Sequence, residues 1–301
     1  MADGDGPRRS AAVGRLPSRI AFLGFGLIGG SIALALREAG YTGSMAGWTP
    51  GGKGPAEGAR RGLLDAAAST SALAVDGAEL VILAGPPLAV LAWLGQSGPN
   101  RPTAPASTLT DVASTKGRIV ERAEAAGLHF VGGHPMAGRE TTGVEGASAT
   151  LFVDRPWVIV PTAHAREVDL DRVAALAGAV GARPIRMTAA EHDAAVAAIS
   201  HLPLLAAAAL VEAVALSDGS TEDWPVARTL AASGWSDMTR LARGDAEMGA
   251  GILDTNRAAV AARLRAYRDA LDAWLQALEG ASDAAALRSR LEAARDVLGG
   301  R

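Results

Sequence analysis

Cysteine is absent from this 301-residue chain, which excludes disulfides, thiolate zinc sites and thiol nucleophiles. The absence fits a reducing cytoplasm, the location expected here. Surplus positive charge is lacking too. The 29 Lys and Arg stand against 32 Asp and Glu, for a formal net charge of −3, whereas a nucleic-acid footprint needs a basic face. A small anionic substrate needs only two or three local cations and stays open. No uninterrupted apolar run reaches the roughly 20 residues of a membrane span. The alanine-rich stretch 194–216 comes closest and is broken by His201, Pro203 and Glu212, so no membrane partner is expected. The first 18 residues carry Arg8 and Arg9 but no apolar signal-peptide core, and read as a flexible tail. No trio of His, Asp and Glu has metal-ligand spacing, and no metal is expected.

Apolar residues make up 49% of the chain, enough for a sizeable core. In residues 19–187 short apolar runs alternate with helical patterns. Strands are read at 20–23, 44–48, 79–84, 107–111, 128–131, 157–160 and 182–187, with a helix over 27–39 and another from about Lys116. Strands separated by helices imply right-handed crossovers and a parallel sheet. The stretch Thr49 to Gly58 reads as a loop-like insertion. From Thr188 to the end the pattern is helical, alanine-rich and without a strand. The expected fold is α/β: a Rossmann-type, mostly parallel sheet domain, then an all-α domain over 188–301.

The segment Gly24-Phe25-Gly26-Leu27-Ile28-Gly29 follows an apolar strand and opens a helix, the context a dinucleotide loop requires. Gly24 permits the tight turn, Gly26 lets backbone approach a pyrophosphate, and Gly29 allows close helix–strand packing. The amides and dipole of the helix that begins near Leu27 face the phosphates. An Asp or Glu about 20 residues on usually takes the ribose 2′-hydroxyl of NAD. Between Glu38 and Glu57 there is none, and Trp48, Thr49 and Lys53 stand there instead. A hydroxyl and a cation suit a 2′-phosphate, which leans toward NADP with NAD possible. The plainer alternative has Trp48 stacked on adenine and Lys53 solvated.

Two further segments look chemical. Asp111-Val112-Ala113-Ser114-Thr115-Lys116 and Gly132-Gly133-His134-Pro135-Met136-Ala137-Gly138 each close a strand at its carboxyl end, where open parallel sheets bind ligands. Together with LFVDRPWVIVPT (151–162), the pair His192-Asp193, ISHLP (199–203) and Asp237-Met238-Thr239-Arg240, they run in order along most of the chain. In these motifs the sequence resembles the prephenate/arogenate dehydrogenase family of tyrosine biosynthesis.

The resemblance implies oxidative decarboxylation of a cyclohexadienyl substrate, arogenate or prephenate. It makes His134 the base that takes the ring-hydroxyl proton, with Ser114 beside it. By its residue type alone Ser114 is equally a helix N-cap. Arg240 would bind a substrate carboxylate bidentately, oriented by Asp237, where the plain alternative is a surface pair at helical spacing. Ser200 and His201 would lie on the substrate side or serve structure. His192-Asp193 reads as a helix-start pair and no more. His129 and His164 read as surface histidines, and Pro203 is expected to kink its helix. The resemblance also implies a homodimer through the helical halves. No regulatory domain is expected to follow, so any tyrosine inhibition would act at the active site.

The sequence departs from prephenate-preferring members at Leu204, where a second histidine is common, and at Gly249, where some carry tryptophan. Both departures resemble arogenate users, and Asp245 or Glu247 is placed to attract the extra ammonium. Two other functions compete. A 3-hydroxyacid dehydrogenase typically uses a lysine on the first long helix of its second domain. The helix after Met187 carries Glu191, His192 and Asp193 and no lysine. A non-catalytic dinucleotide sensor would bind cofactor without turnover.

Overall fold

The structure, a computed structural model, describes residues 11–96, 107–139, 141–216, 223–280 and 283–299. The apolar runs of the first half form one eight-stranded sheet. Its strands are β1 (Arg19–Leu23), β2 (Ser44–Trp48), β3 (Ala66–Ala67), β4 (Leu80–Leu83), β5 (Thr108–Asp111), β6 (Phe130–Pro135), β7 (Pro156–Pro161) and β8 (Arg183–Arg186). They lie in the order β3-β2-β1-β4-β5-β6-β7-β8. Helices α1 (Leu27–Glu38), α2 (Lys53–Arg60), α3 (Ser71–Val75), α4 (Pro87–Leu94), α5 (Gly117–Ala125) and α6 (Glu167–Ala179) connect them.

The period-two geometry of a strand sends alternate side chains to opposite faces, and helices cover both. Ile20 and Phe22 pack with Ile32 and Leu36 of α1 and Val173 and Leu176 of α6. Ala21 and Leu23 pack with Val90 and Trp93 of α4 and Ile119 of α5. The chain winds β1-β2-β3 to one side and resumes at β4 on the other, so the switch point lies between β1 and β4, where such sheets bind ligands.

The sheet is mostly parallel, as expected, and its one antiparallel pair among the described residues is β6 with β7, which sets His134 against Val158. Among the described residues the connection between them holds the short turn Val144–Gly146 and no longer helix, and without a helical crossover the chain returns antiparallel. Three expectations change. Thr49 to Gly58 is not a plain loop, since α2 starts at Lys53. Pro55 falls in its first turn, where a proline costs no hydrogen bond. Gly54 and Gly58 serve packing, because a Cβ there would lie 2.1 Å from the Phe25 carbonyl oxygen and 2.4 Å from its ring. Of the N-terminal tail, residues 1–10 lie outside the described residues. Residues 11–18 are held to the domain: Ala12, Val13 and Leu16 pack on the core, the Tyr41 hydroxyl donates to the Pro17 carbonyl at 2.6 Å, and Ser18 donates to Glu79.

The third change concerns the apolar stretch near residue 200. It forms one 28-residue helix, α7 (Ala189–Leu216), which by length and composition alone is long and apolar enough to cross a membrane. Thr188 and Glu191 start it with a reciprocal capping box. Pro203 does not interrupt it. The turn Ala197–His201 just before it widens to π geometry, which relieves the clash of the proline ring with the preceding turn. Helices α8 (Trp224–Leu230), α9 (Ser233–Thr239), α10 (Ala246–Thr255), α11 (Arg257–Glu279) and α12 (Ala284–Val297) complete the helical part. Apolar side chains stay exposed along it, among them Ile199, Leu230, Leu275 and Leu278.

Candidate active site

Gly24 leaves β1 with φ +98°, and a Cβ there would lie 2.4 Å from the Ala84 carbonyl oxygen at the end of β4. Only glycine turns the chain there, at the switch point. Gly26 caps α1 with no side-chain hydrogen bond, and among the described residues nothing lies within 4 Å of a Cβ built on it. The first-turn amides beginning at Leu27 and Ile28 therefore face an open, uncapped cradle of the kind that receives phosphates. These features fit a dinucleotide pyrophosphate. Trp48 and Thr49 close β2 half-buried beside this loop, Trp48 meeting the Trp93 ring edge-on at 6.3 Å between centroids. The Thr49 hydroxyl accepts from the Gly52 amide at 3.1 Å, and Lys53 opens α2 exposed to solvent. Gly24→Ala is expected to weaken dinucleotide binding at least ten-fold, read by titration calorimetry. It should also destabilise the fold by about 1–3 kcal/mol through backbone strain.

At the same sheet edge β5 ends on Asp111, which is fully buried. One carboxylate oxygen accepts from the Gly133 amide at 3.0 Å. The other accepts from the Ala113 amide at 3.0 Å and pairs with the Lys116 ammonium, likewise fully buried. Burial lowers the Lys116 pKa and Asp111 opposes that shift.

His134 lies within β6, not in a loop after it. It is 9% exposed, and burial, then the charges of His192, Lys116 and His201, push its pKa well below the usual imidazole value. The imidazole is thus neutral near neutral pH. His134 Nδ1 meets His192 Nε2 at 2.8 Å, and His192 Nδ1 meets Asp193 Oδ1 at 2.7 Å. Asp193 accepts from the amides of Lys116 at 2.8 Å and Gly117 at 2.7 Å. The first amides of α5, whose N-cap residue is Lys116, are therefore satisfied by a carboxylate from α7 and not by Ser114, which is half-buried in the preceding bend. Desolvation would raise the Asp193 pKa, but the hydrogen bonds from His192, Gly117 and Lys116 hold it below the usual range.

The His192-Asp193 pair is thus no simple helix start. It is buried in the site, and the helix is opened by Thr188 and Glu191. A buried histidine and aspartate in an alanine-rich helix are costly unless paired, and that cost was the available signal. Asn256 donates to the Asp193 carbonyl at 2.8 Å and meets His201 Nδ1 at 3.2 Å. Thr255 joins Thr115 at 2.8 Å. These contacts seat the helical half on the carboxyl edge of the sheet.

Of the proposed substrate residues, His201 is buried and its pKa is drawn down to about 4, by burial first, with the Asp193 charge opposing. Its Nε2 makes no hydrogen bond among the described residues. The backbone of Ser114, near enough to bias its titration, does not meet it in bonding geometry. Ser200 is exposed. Asp237 and Arg240 are exposed too, at the end of α9 and the start of the turn Arg240–Arg243. That turn packs on the Leu202–Val211 part of α7. Asp245 caps α10, its carboxylate accepting from the Met248 amide at 2.8 Å, while Glu247 is exposed in the first turn.

Residues 32–186 match the family description prephenate dehydrogenase, nucleotide-binding domain, and residues 188–292 match prephenate dehydrogenase, dimerization domain. The chain belongs to the prephenate dehydrogenase family. It is a nicotinamide-dinucleotide-dependent dehydrogenase of tyrosine biosynthesis. The dehydrogenase is 30% identical to prephenate dehydrogenase of Bacillus subtilis over 88% of this chain and 69% of that protein. It is 31% identical to the Lactococcus lactis enzyme over 84% and 69%. Among solved structures, Synechocystis arogenate dehydrogenase superposes with TM-score 0.72 at 30% identity, covering 93% of this chain and 99% of that one. Prephenate dehydrogenase from A. aeolicus in complex with hydroxyphenyl propionate and NAD+ superposes with TM-score 0.83 at 25% identity, covering 93% and 97%.

Proposed function

We propose that the dehydrogenase converts arogenate to tyrosine with NADP, with prephenate and NAD as the competing substrate and cofactor, and that His134 is its base. The observation that carries this reading is a buried, neutral imidazole at the carboxyl edge of a sheet whose glycine loop fits a dinucleotide. A bound nicotinamide ring supplies the hydride acceptor. His134 takes the ring-hydroxyl proton as the carbon bearing that hydroxyl gives up its hydride, and the C–O bond becomes a carbonyl. The bond from the ring to its carboxylate then breaks. Its electron pair moves through the diene to the carbonyl oxygen, CO2 leaves, and the oxygen recovers the proton from His134 as a phenol. Aromatisation supplies the driving force, so the chain's task is to hold the ring, shift one proton and exclude water. Ser114, in the bend next to this site, is assigned to orient the ring hydroxyl.

The NADP preference rests on the absence of an acid between Glu38 and Glu57, with Thr49 and Lys53 in its place. The arogenate preference rests on Leu204 and Gly249. These two departures adjoin, since a Cβ built on Gly249 would lie 3.6 Å from a Leu204 methyl carbon, making an apolar and less cationic corner. Arg240 is assigned to the substrate carboxylate, oriented by Asp237, with Ser200 and His201 flanking. We also propose a homodimer through the helical half, where Ile199, Leu230, Leu275 and Leu278 stay exposed. A second copy covering this face accounts for α7 without a membrane, in a cytoplasmic enzyme.

Assaying both substrates with both cofactors tests the function. The expected result is the highest kcat/KM for arogenate with NADP. Turnover of neither substrate with either cofactor overturns it. Arg240→Lys should raise the substrate KM about ten-fold or more with a smaller change in kcat, because an ammonium cannot replace a bidentate guanidinium. An unchanged KM would remove Arg240 from the substrate site.

A further inference from the structure

We infer that His192 and Asp193 are positioning residues that fix the tautomer of His134, protonating its Nδ1 and leaving the Nε2 lone pair to act as the base. The inference rests on the assignment of His134 as base and adds which nitrogen acts and why.

The argument runs inward from the carboxylate. Asp193 is anchored on two backbone amides, Lys116 at 2.8 Å and Gly117 at 2.7 Å, both of which only donate. These bonds hold it ionised, so toward His192 it can only accept. Nδ1 of His192, 2.7 Å away, must carry a proton. In neutral His192 the second nitrogen, Nε2, is then a lone pair and an acceptor. The atom facing it at 2.8 Å is His134 Nδ1, which must donate. Neutral His134 therefore keeps its proton on Nδ1. Its Nε2 is free to take a proton.

Without this chain the two tautomers of His134 would compete, and the Nε2–H form has no lone pair where the base needs one. An acid–imidazole pair that selects a tautomer and then faces the developing imidazolium is an established catalytic arrangement. Here it has two imidazoles in series. When Nε2 takes the substrate hydroxyl proton, the O–H bond breaks, an N–H bond forms, and the positive charge on His134 is shared through Nδ1–H and His192 with the Asp193 carboxylate. The other groups facing His134 are Lys116, which follows β5, and His201, on α7. Lys116 is paired with Asp111, and the Asn256 amide group faces His201 Nδ1, so neither supplies an acceptor to His134.

The test joins a spectroscopic readout to kinetics. Nitrogen-15 NMR of full-length enzyme labelled at histidine, without substrate at neutral pH, reports which ring nitrogens carry protons. His134→Asn identifies the His134 signals by their loss. The expected result is a protonated Nδ1 and a pyridine-type Nε2. A His134 with its proton on Nε2 overturns the inference, whatever the enzyme turns over. His192→Leu removes the acceptor and should lower kcat about 10²-fold or more, within the range of general base catalysis, leaving dinucleotide affinity within about two-fold. His192→Gln, whose carbonyl oxygen can still accept from Nδ1–H, should keep kcat within about ten-fold and retain the wild-type tautomer. Equal losses in the Gln and Leu variants, with the His134 tautomer unchanged in both, would reduce His192 to a packing role. Failure of the wild-type enzyme to oxidise arogenate or prephenate would overturn the functional reading alone, because the tautomer is read without turnover.

Discussion

Replacing His134 with Asn is expected to lower kcat by about 10²–10⁴-fold, the usual worth of a positioned general base. Dinucleotide affinity should stay close to wild type. Asn keeps a donor of similar size for His192 but cannot accept and release a proton. The pH profile separates this from a packing effect. Burial first, then the neighbouring His192, Lys116 and His201, depress the His134 pKa, so the base is ready through neutrality. The acid limb of kcat/KM should fall below about pH 6.5, the ordinary imidazole value, and should vanish in the variant. A retained kcat with an unchanged limb would remove His134 from the chemistry.

Stability must be followed across the same range. His134 and His201 both titrate lower in the folded chain than in the unfolded one, His201 at about 4. The unfolded state therefore binds more protons at mildly acid pH. The stability these histidines confer is complete above about pH 6.5 and is lost as pH falls toward about 4, at up to about 1.4 kcal/mol per pH unit for each group. Circular dichroism at each pH distinguishes this loss from the catalytic limb.

The second large effect falls on the buried ion pair. Lys116→Met leaves the Asp111 carboxylate fully buried without its counter-charge. Removing one partner of a buried pair typically costs about 3–5 kcal/mol. The midpoint of urea unfolding should drop accordingly, or Asp111 should take up a proton and the loss should deepen as pH rises. In the double variant Asp111→Asn, Lys116→Met the charge is gone, and an amide oxygen can still accept from Gly133 or Ala113. That variant should recover much of the loss. If the single variant were as stable as wild type, the pair would have no part in holding β5 to β6. Because Asp111 bridges the amides of Ala113 and Gly133, the variant should also loosen the strand that carries His134, and kcat should fall alongside stability.

Much of the architecture was legible in the linear pattern. The strand-loop-helix around Gly24, Gly26 and Gly29 and the change to helix after Thr188 both appear where read. These are local signals: glycine where φ is positive, apolar runs where strands are covered on both faces, an alanine-rich pattern without strand-like runs where the chain turns helical. Other features were not legible, because their meaning lies in long-range partners. The reversal of β7 depends on a connection without a crossover helix. Gly54 and Gly58 read as loop residues, yet their function is to admit Phe25 against α2. Residues 11–18 read as a tail because an apolar contact to another part of the sheet domain leaves no periodic trace in a short segment.

The candidate site divides the same way. His134 and the glycine loop stood out in the chain because each lies in a run of residue types in a fixed order, Gly-Gly-His-Pro and Gly-x-Gly-x-x-Gly, that is read without knowing its partners. His192 and Asp193 did not, since an adjacent His-Asp pair has the same appearance at any helix start. Their partners are 58 and 76–77 residues away. By itself, the sequence determined the dinucleotide fold, the helical second half and the family motifs, since each depends on local backbone preference or on residue types in order. Only the tertiary structure decided that α7 turns a carboxylate onto the start of α5 and an imidazole onto His134. The direction of a hydrogen bond, and with it the nitrogen that holds the proton, depends on which groups meet at about 2.8 Å, and residue order does not encode that distance.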